Sequence, residues 1–113
     1  MPCMPMPKPD FPAGSLIMLI LRVLGGGKLH GYAIAQRIRI LSNEVLQVEE
    51  GSLYPALQRI LANGWAKAEW GTSETGRRVR LYSLTRAGRN RLESEVAQHR
   101  TVTDAIAAVL RDA

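Results

Sequence analysis

Six arginines lie between Gly71 and Arg91 (Arg77, Arg78, Arg80, Arg86, Arg89 and Arg91), against a single acid, Glu74. Elsewhere nine basic and nine acidic residues cancel, so this one stretch carries the whole net charge of +5. A guanidinium keeps its charge at any physiological pH, and its planar donors fit phosphate oxygens. A localised excess of this kind is the electrostatic footprint of a surface for a polyanion. A merely solvated arginine-rich face would show the same charge, so charge alone does not separate the two. Upstream, Gln58 can pair with adenine, and Arg59 with guanine or phosphate. The chemistry on offer is recognition of a nucleic acid.

Other chemistries lack their residues. His30, His99 and Cys3 are scattered, without the spacing of a metal site, and no cofactor is expected. No Ser/His/Asp or Cys/His set is suggested, and no carboxylate pair stands apart from ordinary solvated surface. The "GGG" at 25–27 lacks the Lys-Ser/Thr that a phosphate-binding loop needs. The single cysteine cannot close an internal disulfide, which fits a reducing compartment. The apolar run "LIMLILRVL" from Leu16 to Leu24 is interrupted by Arg22. It is far shorter than the ~20 residues of a membrane span. It is expected to be a buried helix of a cytoplasmic protein with no membrane partner.

These side chains need a scaffold, and 113 residues with 46% hydrophobic content make one small domain. Five of the six prolines fall in residues 1–14, a flexible arm. A first helix follows, Leu16 to Leu24, with Ser15 as its cap. Leu29 to Leu41 is a second, with Tyr32, Ile34, Ala35, Ile38 and Leu41 on its apolar face. In the third, Leu53, Leu57, Ile60 and Leu61 share one side, and Ser52, Pro55, Arg59 and Ala62 the other. Proline is tolerated within a first turn, so this helix is expected to start close to Ser52. Glu49 and Glu50 suit the positive end of its dipole. Asn63-Gly64 ends it.

Two short alternating runs, "WAKAEW" and "RRVRLYSL", flank the turn "GTSETG" and predict a β-hairpin bearing Arg77, Arg78 and Arg80. Trp65 and Trp70 are expected in its packed core, although both could stack a planar ligand. Thr85 caps a last helix, Arg86 to Asp112, which would run roughly 40 Å. Leu92, Val96, His99, Thr103, Ile106 and Leu110 recur at spacings of 4, 3, 4, 3 and 4, a heptad seam that Val102 and Val109 widen. A stripe that outreaches so small a domain predicts a homodimer, with Leu16 and Leu19 of the first helix alongside it. His99 would be a polar residue at the seam edge or a pH sensor. Three helices, a hairpin and a long helix give a mostly α, α+β fold: a winged helix-turn-helix with a dimerisation helix.

The phrases "LHGYAIAQRI", "EEGSLYPALQRILANGW" and "GRRVRLYSLTRAGRNRL" are, in that order and spacing, similar to the PadR family of bacterial transcriptional regulators. The similarity runs from about Leu16 to Leu92. The resemblance implies a homodimeric winged-helix repressor whose last helix makes the dimer, in a short form without an added C-terminal domain. It places Ser52, Tyr54 and Pro55 at the start of the recognition helix and Arg77 and Arg78 in the wing. Tyr32 matches the family's tyrosine of the second helix, which faces phosphate or packs. Trp65 departs from the aliphatic residue often found there. The expected partners are double-stranded DNA, a second copy of the chain and, where one exists, an unidentified small-molecule effector. The expected divisions are 1–14, 15–85 and 86–113. A winged helix that binds only proteins is the rival, and an arginine-rich wing speaks against it.

Overall fold

Apolar residues on nearly every side make α1 (Ser15–Leu24) the centre of the molecule. Ile20 and Leu21 are wholly buried, and Leu16, Ile17, Met18, Leu19 and Val23 pack partly against the same core. The computed structural model describes residues 14–112, so Cys3 and all but the last residue of the proline-rich arm fall outside it. After α1 come β1 (Leu29–His30), α2 (Gly31–Leu41), α3 (Glu50–Ala62), β2 (Ala66–Thr72), β3 (Arg78–Leu84) and α4 (Arg86–Asp112). The expected class holds: four helices, a small antiparallel sheet and a long last helix. α1 touches α2, α3, β3 and α4, which ties the three-helix unit to the wing and to the long helix. Among the described residues, no helix is long and apolar enough to cross a membrane.

Several expectations change in detail. Ser15 is the first residue of α1 and not its cap; Gly14 holds that place, with a left-handed φ of 82° and no side-chain bond. Leu29 and His30 do not begin the second helix. They pair with Tyr82 and Leu81 of β3, so the sheet has three strands in the order β1-β3-β2. His30 then caps α2 by accepting a bond from the Ala33 N–H on its Nδ1. This cap explains the boundary: the imidazole satisfies a free donor of the first turn only if the helix begins after it. In α2, Gly31, Ile34 and Ile38 are buried, but Tyr32 and Leu41 are exposed. They lie at the margins of a stripe that is narrower than their hydrophobicity suggested.

α3 begins at Glu50, two residues before the start near Ser52 that Pro55 implied. The Glu49 carbonyl accepts from both the Ser52 and Leu53 N–H groups, which fixes the first turn there. Pro55 is therefore in the second turn, where it denies the Gly51 carbonyl its intrahelical donor. Leu53, Leu57 and Ile60 face the core as the wheel requires; Ala56 joins them, and Leu61 is partly buried. Gly64 ends the helix at φ 72°, and the Trp65 N–H returns to the Ile60 carbonyl.

Thr85 joins the wing to α4. Its hydroxyl donates to the Gly64 carbonyl at 2.6 Å and accepts from the Gly88 N–H at 3.0 Å. Gly88 is where α4 crosses the chain at Trp65; a Cβ there would sit 1.9 Å from the Trp65 carbonyl oxygen. Leu92 is buried in the protomer's own core, and Val96 is partly packed on it. From His99 onward the seam emerges into solvent, with Val102, Ile106, Val109 and Leu110 each at least half exposed.

Candidate nucleic-acid interface

The register of the wing determines which side chains share a face. Trp70 pairs with Arg80, Thr72 with Arg78 and Ala68 with Tyr82. Side chains alternate along a strand, so Ala68, Trp70, Thr72, Arg78, Arg80 and Tyr82 lie on one side of the hairpin. Tyr82, at the base, is buried in the core. Nearer the tip the same face carries the arginines, so they point along the molecule's flank and not away from it.

The tip is closed by Ser73. Its N–H donates to the Arg77 carbonyl at 2.8 Å, and its hydroxyl accepts from the Arg77 N–H at 3.1 Å. Gly76 takes φ 83°, which lets the chain turn tightly enough to start β3 at Arg78.

A groove of about 700 Å³ opens between this wing face and the helices. The start of α2 lines one side, with His30, Tyr32 and Gln36, and Tyr54 of α3 joins it. Trp70, Arg77, Arg78 and Arg80 line the other. Tyr32 is 68% exposed, and its ring is stacked parallel to that of His30 at 6.4 Å. It does not pack in the core. Tyr54 has its ring against the Gly31 backbone and also lines the groove. A second concavity begins beyond these two tyrosines, where Glu49 and Glu50 sit at the start of α3. Charge distinguishes the two: three arginines against Glu74 line the first, and Glu49 and Glu50 against Arg39 line the second, so the first is the better match for a phosphate chain.

The sequence candidates fall into two groups. Tyr32, Tyr54, Arg77, Arg78 and Arg80 converge on the basic groove. Ser52, Pro55, Gln58 and Arg59 do not line it; they form the exposed face of α3 beyond. Among the described residues, no hydrogen bond or ion pair engages the side chains of Ser52, Gln58, Arg59 or Arg77. Arg91 is otherwise occupied: it pairs with Glu95 and lies over the Trp65 ring at 4.9 Å.

Sequence reasoning missed Trp70, Gln36 and Ser73. Trp70 was expected in the core beside Trp65, yet only Trp65 packs there; Trp70 is 61% exposed, with the Arg78 guanidinium 4.5 Å from its ring centre. The signal was parity. Once the turn fixes Trp70 opposite Arg80, it must share the arginine face. Lys28, before β1, donates to the Glu69 carboxylate at 2.6 Å and holds its pKa below the ordinary glutamate value. That exposed pair lies on the opposite face of the wing from Trp70.

Comparison with known proteins agrees with this geometry. The family model for PadR-like transcriptional regulators matches residues 20–94. A transcriptional regulator from Clostridium thermocellum is similar in structure, with a TM-score of 0.75 at 30% identity, over 82% of this chain and 90% of that one. A PadR family transcription regulator from Clostridium difficile gives 0.74 at 27% identity, over 86% and 99%. Uncharacterized protein X of Lysinibacillus sphaericus is 29% identical over 101 residues, covering 89% of this chain and 93% of its own. Members of the family are DNA-binding regulators of transcription and not enzymes. With a family match over well more than half its length, on a winged-helix frame of the right order, this chain belongs to the PadR-like family of transcriptional regulators.

Proposed function

We propose that the protein is a homodimeric repressor that binds a pseudo-palindromic DNA operator. One observation carries the proposal: the exposed face of α3 and the arginine-lined groove lie uncovered by any other described part of the protomer. In each protomer α3 enters a major groove, and Gln58 and Arg59 reach base edges. Ser52 and Pro55 keep that face slim enough for close approach. A sugar-phosphate strand follows the basic groove, where Tyr32 and Tyr54 offer hydroxyls and Arg77, Arg78 and Arg80 offer charge. Residues 15–85 form the DNA-binding unit, and residues 86–113 the dimerisation helix.

The emergent stripe of α4 supports the dimer. Val102 and Ile106 are 51% and 54% exposed, and Val109 and Leu110 about 70%, on a helix that has left its own core. A large apolar patch is costly to leave in water, and a second copy of the same helix would cover it. In this reading His99 and Thr103 form the polar edge of the seam, and the partly buried Leu16 and Leu19 join its base. Leu92 is already buried at home and supports the helix from below. Two-fold symmetry then sets two half-sites about one helical turn apart, or a multiple of it. Repression would follow from occupancy of a promoter, and a small effector could release it.

Selection of bound fragments from genomic DNA tests this. Enrichment of a two-fold-related motif is the expected result. Recovery of no motif would contradict the proposal and favour a winged helix that binds other proteins.

A further inference from the structure

Four residues on one face of the wing alternate between aromatic ring and guanidinium. From the core outward they are Tyr82, Arg80, Trp70 and Arg78. The Arg80 guanidinium carbon is 5.9 Å from the centre of the Tyr82 ring, and that of Arg78 is 4.5 Å from Trp70. Trp70 lies directly across the strands from Arg80 and diagonal to Arg78, whose guanidinium it faces. It is 61% exposed, which excludes an ordinary core role. We infer that Trp70 is a positioning residue for DNA binding: it holds the Arg78 guanidinium in place at the wall of the basic groove.

The physical reason lies in what a stack does and does not remove. A free arginine samples many rotamers, and fixing it upon binding costs affinity. A carboxylate partner would fix it but cancel its charge, as Glu95 does for Arg91. An aromatic face restrains the guanidinium plane, leaves the charge whole and leaves the in-plane N–H donors free for phosphate. With Arg78 over Trp70 and Arg80 over Tyr82, each guanidinium has its own ring, and the two charges stand on one face. Glu74, near the tip, forms no ion pair with either among the described residues.

The inference rests on the proposal that the wing arginines contact DNA, and one experiment separates the two. Binding to a short mixed-sequence duplex at low salt is measured for the native protein, Trp70→Ala, Arg78→Ala and the double variant. Trp70→Ala is expected to weaken binding roughly two- to fivefold, the range of an exposed cation–π contact. In the Arg78→Ala background the same change should have no further effect, because the group it positions is gone. Trp70→Phe should restore most of the affinity, and Trp70→Leu, which keeps apolar bulk without a ring face, should not. Thermal midpoints should be unchanged, since the side chain is exposed. Equal losses in both backgrounds would overturn the inference, because Trp70 would then act on DNA by itself. So would native affinity in Trp70→Ala. If Arg78→Ala alone binds as the native protein does, the wing's role in DNA binding fails first and the positioning role with it.

Discussion

At the scale of single residues, the wing–helix joint gives the sharpest example of a motif with a physical cause. Thr85 and Gly88 stand three apart, and the threonine hydroxyl receives the glycine N–H. The glycine is required because the Trp65 carbonyl occupies the space a Cβ would need. Since that obstacle is backbone, it cannot swing away. Gly88→Ala should therefore destabilise the fold by about 2–3 kcal/mol or more, as overpacking against rigid structure does. Thermal or denaturant unfolding would check it, and a midpoint within error of the native protein would contradict the packing described. The threonine cap was legible from sequence, because a cap depends on local order alone. The carbonyl crossing was not, because it depends on where a residue 23 positions earlier passes. Tyr32 shows the same divide: its spacing placed it on an apolar face, but the stripe is satisfied by Gly31, Ile34 and Ile38 without it.

Among the elements, α4 runs from Arg86 to Asp112 as the heptad spacing and Thr85 indicated. Its periodicity runs from Leu92 to Leu110, and the Thr85 hydroxyl marks its start. α3 was harder. Pro55 suggested a start near Ser52, but the Glu49 carbonyl collects two donors and begins the helix at Glu50. Proline's preference was outweighed by a turn that sequence alone does not display. β1 was absorbed into α2 because two residues carry no period; only the edge of β3 reveals them as a strand. The hairpin was visible, but its inward face was not until the register was known. For α3, the exposed positions predict distinct effects. Gln58→Ala and Arg59→Ala should each lose about 1–3 kcal/mol at particular base pairs of an operator and little elsewhere. Binding to a set of single-base operator variants would show this; uniform loss across the set would mean that they touch only phosphate.

For the whole molecule, the proposed dimer makes each protomer half of a symmetric device. Its core lies around α1, its charged groove on one flank, and its apolar stripe on the part of α4 that leaves the body. Replacing Val102 and Ile106 with aspartate should leave the protomer folded, because both side chains are more than half exposed. It should also put charge into the seam and shift the protein to monomer in sedimentation equilibrium. An unchanged dimer mass would place the interface elsewhere. The central claim is that the wing grips the DNA backbone, and the salt dependence of binding tests it most directly. The native protein should lose affinity steeply as salt rises. In the Arg77→Ala/Arg78→Ala variant the log–log slope should fall by about 0.9 for each phosphate that is no longer neutralised, up to roughly 3.6 for two wings. A variant with the native slope would contradict the account.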